Sequence, residues 1–164
     1  MRRLAAHTLR VVPDVLEAYE VFLRELVGAG NSVIVPTPAY MPFLSVPKLY
    51  DVNVIEIEML QSGDAETGET QWLFDFNAIE RAFAAGCHAF VLCNPHNPIG
   101  KVLTLEEELR LSDLAAQYNV RIFNDEIHAP FVFEGKHIPF PTISEQAALQ
   151  SMTATSASKS FNIP

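Results

Sequence analysis

Short, almost wholly apolar runs alternate with longer amphipathic segments along this chain. The runs SVIVP (32–36) and AFVLC (89–93) are typical of strands that are buried on both faces of a sheet. The segments 13–30, 75–86 and 104–119 carry apolar residues three and four positions apart, which is the helical spacing. This alternation predicts an α/β fold, with a mainly parallel (mixed) sheet and helices on both of its faces.

Capping residues support two of the helical segments. Asp75 or Asn77 is the predicted N-cap of the helix in 75–86. Thr104 and Glu107 form a predicted capping box at the start of 104–119. Both segments are therefore interpreted as helices with defined first turns.

The remaining segments complete the predicted pattern of elements. The predicted strands are NVIEIEML (53–60), VRIFNDE (120–126), MTATSA (152–157) and a short FVFEG (131–135). SEQAALQ (144–150) is predicted to be a short helix, and QSGDAETGET (61–70) a polar surface loop.

Composition limits the classes of partner. A chain of 164 residues is roughly one domain. Its net charge of −9 disfavours binding to nucleic acid, because that binding depends largely on attraction to phosphates. Two cysteines and no recognisable signal peptide predict a reduced, cytoplasmic protein. No apolar run reaches the roughly 18 residues of a membrane span, so no membrane association is expected.

Polar side chains follow four of the predicted strands, at the point where each strand ends. If these strands are parallel neighbours, their ends meet at one edge of the sheet, where such folds bind ligands. The residues concerned are Tyr40 after the first strand, Asn94, His96 and Asn97 after 89–93, Asp125, Glu126 and His128 after 120–124, and Ser156, Ser158 and Lys159 at the end of 152–157.

An amine, a carboxylate, an amide, hydroxyls and an aromatic ring together suit one cofactor, pyridoxal phosphate. A lysine amine can form a Schiff base with its aldehyde. A carboxylate beside the ring nitrogen keeps that nitrogen protonated, because the opposite charge favours the pyridinium. An aromatic side chain can stack on the ring, and hydroxyls can bind the phosphate.

Three stretches carry a resemblance to a known family. NPHNPIGKV, NDEIHAPFVFEGKHIPF and TSASKSFNIP resemble the aminotransferase class I/II superfamily of pyridoxal-phosphate enzymes, fold type I. The stretches DEIHA…FEGKHIPF and TPAYMPF are most similar to its cystathionine β-lyase-like C–S lyase branch. The resemblance runs along most of the chain in consistent order, and it implies the fold and the cofactor of that family.

The resemblance assigns three central roles. Lys159 matches the lysine that forms the Schiff base and that moves the substrate's α-proton, which makes it the predicted catalytic residue. Asp125 matches the partner of the pyridine nitrogen, and Asn97 matches the amide that reaches the phenolate oxygen of the ring. Taken singly, these residues could be a surface lysine, a turn former and a turn asparagine.

Four further cofactor contacts follow from the same resemblance. Tyr40 matches the aromatic residue that stacks on the ring, and His128 stands where many aminotransferases have a tyrosine near the phenolate oxygen. Ser156 matches a phosphate-binding hydroxyl, and Ser158 is a second candidate. A core aromatic and hydrogen-bonded structural side chains are the alternatives.

Two other kinds of site fit less well. Asp125, Glu126, His128 and His96 could surround zinc, but their spacing matches no zinc motif and leaves Lys159 unexplained, so no metal site is predicted. No strand is followed by the GxGxxG pattern of dinucleotide-binding folds.

The resemblance also implies a longer protein. Residues 1–164 match a partial cofactor-binding large domain, with an N-terminal segment and a C-terminal small domain absent. Arginines for the phosphate and for the substrate carboxylate are expected beyond residue 164. The family's phosphate-binding turn matches RVVPDV, where only Val11 and Val12 are candidates, and members of the family are homodimers.

Three hypotheses about function remain open. The first is a pyridoxal-phosphate-dependent C–S β-lyase that performs a cystathionine β-lyase-like α,β-elimination on a small amino-acid substrate. The alternative is an aminotransferase of class I/II, which would use the same residues. The second alternative is a non-catalytic α/β chain, which the absence of the expected arginines favours.

Overall fold

Seven strands are present in the computed structural model, which describes residues 8–63 and 70–163. They are β1 Ser32–Thr37, β2 Asn53–Glu58, β3 Leu60–Gly63, β4 Thr70–Leu73, β5 Ala89–Cys93, β6 Arg121–Asp125 and β7 Ser151–Ala154. Five of them form one parallel sheet in the order β2-β1-β5-β6-β7. The predicted parallel α/β architecture is confirmed, and antiparallel pairing is confined to a separate hairpin of β3 and β4.

Helices connect the strands. They are α1 Val15–Phe22, which continues as a π-helical turn over Leu23–Val27, α2 Met41–Ser45, which continues as a 3-10 turn over Val46–Tyr50, α3 Phe76–Ala84, α4 Leu105–Gln117, α5 Glu145–Gln150 and α6 Ser158–Phe161. Within the described ranges, none of these helices combines the length and the hydropathy that a membrane span requires.

The predicted caps form. Asp75, not Asn77, is the N-cap of α3, and its carboxylate accepts a hydrogen bond from the Ala78 amide at 2.9 Å. In α4 the Thr104 hydroxyl accepts from the Glu107 amide at 3.2 Å, and the Glu107 carboxylate accepts from the Thr104 amide at 2.9 Å. This confirms the capping box and fixes where α4 begins.

Helices cover both faces of the sheet, as predicted. On one face α1 and α2 bury an aromatic cluster, in which the Phe123 ring centroid lies 4.9 Å from that of Tyr19 and 5.5 Å from that of Phe22. On the other face α3, α4 and α5 pack against the side chains of alternate strand residues, such as Phe90 and Ile122. The sheet is therefore a buried platform whose carboxyl edge carries the loops.

Two predictions about local structure were wrong. The prediction of a surface loop over 61–70 is wrong for its two described parts, 61–63 and 70, because these residues belong to β3 and β4, whose backbones pair. The same hairpin packs the half-buried Trp72 against the core. Residues 64–69 lie outside the described residues. The stretch 131–135 is not a strand. A 3-10 turn over Ala129–Phe131 reaches its first residue, and Pro130 within that turn has no amide hydrogen to offer a sheet. Phe133 in this segment is 92% exposed.

Candidate active site

The four predicted groups lie at one edge of the sheet. Strands β1, β5, β6 and β7 are parallel and adjacent in that order, so their carboxyl ends are side by side. In the register of the sheet Asp125 is the partner of Cys93 on one side and of Ala154 on the other. The loops that carry Tyr40, Asn97, His128 and Lys159 therefore all leave from this edge.

Asp125 ends β6 and is buried, with 5% of its surface exposed. Its Oδ1 accepts a hydrogen bond from the Ile127 amide at 3.0 Å. Burial raises the pKa of the Asp125 carboxyl, and the charge of Glu126 adds to the rise, whereas the Ile127 hydrogen bond and the interactions with His128 and Lys159 only partly oppose it. His128 and Lys159 are thus both close enough to Asp125 to act on its carboxyl group.

Asn97 is linked to the same place through Cys93. The backbone amide of Asn97 donates a hydrogen bond to the Cys93 sulfur at 3.5 Å, and Cys93 is the register partner of Asp125 in the sheet. Burial, and then the negative charge of Asp125, raise the pKa of the Cys93 thiol to about 12. Cys93 is therefore a buried, protonated thiol that supports the Asn97 loop rather than a nucleophile.

Tyr40 lies in the loop after β1, with 39% of its surface exposed. Its ring meets the ring of Phe43 edge to face, with the two ring centroids 5.7 Å apart. The Nε2–H of His96 donates to the Pro38 carbonyl at 2.9 Å and so ties the loop after β5 to the loop after β1. Burial lowers the pKa of His96, so this link is made by a neutral imidazole.

Lys159 is presented by a short turn that Ser156 and Ser158 shape. The Ser156 hydroxyl oxygen accepts from the Ser158 amide at 3.1 Å, and the two hydroxyl oxygens are 3.0 Å apart. Lys159 follows in α6 and is exposed, and its side chain has no hydrogen bond or ion pair to another described residue. The serines thus have a local structural role, and phosphate binding by either of them stays a prediction.

The start of α1 gives less support to the predicted phosphate-binding turn. A short connection joins the end of α1 to β1, so the N-terminus of α1 points to the carboxyl edge of the sheet. Asp14 is the N-cap there, and its carboxylate already accepts from the Glu17 amide at 2.8 Å. A carboxylate at this position would repel a phosphate, so the role of Val11 and Val12 stays a prediction.

One buried acidic residue near the site was missed by the sequence interpretation. Glu108 in α4 has no exposed surface and accepts a hydrogen bond from the Asn94 side-chain amide at 2.7 Å. Its position could have been predicted, because Glu108, Leu111, Ser112 and Ala115 follow the helical spacing of one buried face. A glutamate on such a face must be paired, hydrogen-bonded or neutral.

The fold and this edge define the class of protein: an α/β protein with a polar site beyond the carboxyl ends of adjacent parallel strands. The family model for aminotransferase class I and II matches residues 5–164. The chain belongs to this family.

Individual relatives agree with that membership. The cystathionine beta-lyase of Corynebacterium glutamicum is 38% identical over 151 residues, which cover 92% of this chain and 38% of the relative. The structure of a PLP-bound putative aminotransferase from Clostridium difficile 630 has a TM-score of 0.84 at 33% identity, covering 92% of this chain and 38% of that one. A putative PLP-dependent beta-cystathionase from Corynebacterium diphtheriae has a TM-score of 0.80 at 37% identity, covering 93% and 37%.

These comparisons confirm the resemblance stated from the sequence, including its similarity to cystathionine β-lyases. The chain spans 38% of the length of the Corynebacterium glutamicum relative. The roles of the individual site residues remain predictions.

Proposed function

We propose that this chain carries the cofactor site of a pyridoxal 5'-phosphate-dependent C–S β-lyase, which acts on cystathionine or a related cysteine S-conjugate by α,β-elimination. The observation that carries the proposal is the meeting of Lys159, Asp125 and Asn97 at the ends of three adjacent parallel strands. The choice of lyase over aminotransferase is supported by the 38% identity to a cystathionine beta-lyase.

The side chains at the sheet edge fit that cofactor. Bound pyridoxal phosphate supplies an aldehyde for Schiff-base formation with an amine and an electron-poor ring that stabilises a carbanion. The cofactor needs a carboxylate beside its ring nitrogen and an amine for its aldehyde. The buried Asp125 and the exposed Lys159 supply these two groups at the same sheet edge. Asp125 would hold the protonated ring nitrogen, and Lys159 would hold the aldehyde carbon.

Asp125 can serve as the ionised partner of a cation that lies beside it. Burial, together with the charge of Glu126, raises its pKa, whereas the hydrogen bond from the Ile127 amide and the interactions with His128 and Lys159 favour the charged form and oppose that rise. A pyridinium nitrogen placed beside the carboxylate would favour ionisation further. The residue is thus positioned to hold a proton on the ring nitrogen without taking that proton itself.

The other residues would orient the ring and the substrate. Tyr40 offers a partly exposed aromatic face, and the side-chain amide of Asn97 can donate to the phenolate oxygen. His128 is a second candidate near that oxygen, and Ser156 near the phosphate. Once the substrate amine has replaced the Lys159 amine on the aldehyde carbon, the freed Nζ atom of Lys159 would take the α-proton of the substrate. The sulfur would then leave the β-carbon with the electrons of the C–S bond and be protonated to the thiol.

We also propose a cellular location and an oligomeric state. A cytoplasmic location is supported by the two free, buried cysteines. A homodimer of the full-length protein is supported by exposed apolar residues beside the site, among them Met41 at 68% exposure. Sedimentation of the full-length protein tests the second point, because a monomer at micromolar concentration contradicts it.

The test of the reaction is product analysis with L-cystathionine and added pyridoxal 5'-phosphate. The proposal predicts pyruvate, ammonia and a thiol in equal amounts, and no products with Lys159→Ala. Lys136→Ala removes an exposed lysine outside the proposed site and serves as the matched control. Transfer of the amino group to an added keto acid would instead show an aminotransferase. No products together with no bound cofactor would show a non-catalytic chain.

A further inference from the structure

The loop that carries Asn97 is closed on itself by hydrogen bonds. The His96 amide donates to the Lys101 carbonyl at 2.8 Å, and the Gly100 amide donates to the His96 carbonyl at 2.7 Å. At the base of the loop, the Leu103 amide donates to Asn94 Oδ1 at 3.1 Å. Residues 94–103, named the asparagine loop below, therefore form a small ring with Asn97 near its tip.

Asn94 joins this loop to the rest of the site. Its backbone amide donates to the Asp125 carbonyl at 3.0 Å, and its side-chain Nδ2 donates to Glu108 Oε1 at 2.7 Å. Asn94 is itself buried, with 1% of its surface exposed. Glu108 thus contacts Asn94. The side chain of Asn94 closes the base of the asparagine loop, and its backbone is bonded to Asp125.

The surroundings of Glu108 do not suit a charge. Among the described residues it has no ion pair, whereas the adjacent Glu107 pairs with Lys101 at 2.8 Å. Its Oε2 is buried and has no hydrogen-bond partner in the described part of the chain. An ionised carboxylate in such a place would lose the solvation of water, and the single hydrogen bond from Asn94 would compensate for only part of that loss.

A second buried carboxylate lies close to Glu108. Glu126 accepts hydrogen bonds from the Asn124 side-chain amide at 2.7 Å and from the Phe140 amide at 2.9 Å, and its Oε2 is 3.3 Å from His137 Nε2. Glu126 is thus occupied as an acceptor, while the buried Asn124 Oδ1 has no donor. A proton on one carboxyl group of this cluster would remove one charge and supply one donor.

We propose that Glu108 is a positioning residue, which holds the asparagine loop in place as a neutral carboxylic acid. Its Oε1 fixes Asn94, and the proton on Oε2 relieves the repulsion from Glu126. Burial, followed by the negative charge of Glu126, raises the pKa of Glu108 to about 8. The titratable groups that face it are Glu126, with His137 beside it, and Glu107, with Lys101 beside it.

The consequence for the site is that Asn97 is set in place before any ligand binds. Preorganised hydrogen-bond donors need no rearrangement when a ligand arrives. This consequence for the cofactor rests on the proposed function, whereas the effect of Glu108 on the asparagine loop does not depend on it.

Infrared spectroscopy tests the protonation state in the wild-type protein. The difference spectrum between wild type and Glu108→Gln at neutral pH should contain the C=O stretch of one protonated carboxylic acid. If the difference contains only the stretches of an ionised carboxylate, the neutral-acid proposal is overturned. The measurement needs no cofactor, and Glu108→Gln is the only variant that it uses.

Amide hydrogen exchange tests the positioning. In Glu108→Ala the amides of Leu103, Gly100 and His96 should exchange about tenfold faster than in wild type, the effect of losing one buried hydrogen bond of ordinary strength. Glu108→Gln keeps an acceptor for Asn94 and should restore the protection of these three amides. The β2 amides, at the far edge of the sheet, should be unchanged in both variants. Unchanged loop exchange in Glu108→Ala, or no rescue by glutamine, contradicts the proposal.

Titration with pyridoxal 5'-phosphate separates the two proposals. If both hold, Glu108→Ala should bind the cofactor more weakly than Glu108→Gln. If the wild type binds none, the proposed function fails, and the proposal for Glu108 is still decided by the exchange and infrared results.

Discussion

Replacing Glu108 with glutamine should change how the stability of the protein depends on pH. Burial and the charge of Glu126 raise the pKa of Glu108 from 4.5 to about 8 in the folded protein. Below pH 4.5 the carboxyl is protonated in both the folded and the unfolded chain. Between pH 4.5 and about 8 the unfolded chain releases this proton and the folded chain keeps it, so the free energy of unfolding falls as the pH rises.

The size of this fall follows from the two pKa values. The interval from 4.5 to about 8, at 1.36 kcal/mol for each pKa unit, corresponds to about 5 kcal/mol. This is a ceiling, because water that enters the cluster on ionisation would lower the penalty. The loss is complete above pH 8. Since glutamine cannot ionise, the variant should gain stability relative to wild type steadily over this range.

Urea unfolding of both proteins at intervals from pH 4 to pH 9 is the assay. The difference between the two free energies removes the contributions of the other titrating groups, among them Asp125 and His96. Glu106→Gln removes an exposed carboxylate from the same helix and is the matched control. If the difference between Glu108→Gln and wild type is constant over this range, the reasoning about the buried acid is refuted.

Three further substitutions probe the core, a helix start and the site. Phe123→Ala, in the centre of the aromatic cluster, should cost about 3–5 kcal/mol of unfolding free energy in urea, and a cost under about 1 kcal/mol would contradict the described packing. Thr104→Ala removes the acceptor for the Glu107 amide and should cost about 1 kcal/mol in the same assay, whereas no cost would show that the capping box is unimportant. Asp125→Asn keeps an acceptor for the Ile127 amide but loses the charge. Since hydrogen bonds to charged groups contribute about 1.5–3 kcal/mol, the variant should bind pyridoxal 5'-phosphate about ten- to a hundredfold more weakly in an absorbance titration. Equal affinity would contradict the proposed role of Asp125.

Much of the fold could be predicted because hydrophobic periodicity reports burial directly. The run 89–93 is buried at every position in β5, and the helical spacing in 104–119 matches α4 to within two residues at each end. The hairpin of β3 and β4 could not be predicted in the same way. Seven of its eight residues are exposed, so burial leaves no regular pattern in this part of the sequence, and the pairing of the two backbones defines the hairpin.

The site divides along similar lines. The grouping of Asp125 with His128 and Lys159 could be predicted, because parallel strands bring their carboxyl ends together. The surroundings of Glu108 could not, since the sequence does not show which donor meets its carboxyl group or that Glu126 lies near it. The role of Asp14 at the start of α1 also depends on how the chain turns there.

The central claim is that Lys159 is the amine that binds pyridoxal 5'-phosphate. Incubation with the cofactor, reduction with borohydride and mass spectrometry of the digested protein identify the lysine that formed the Schiff base. The account predicts one reduced cofactor per chain, attached to Lys159, and its loss in Lys159→Arg. An adduct spread over Lys48, Lys101 and Lys136, or no adduct in the wild type, would contradict the account.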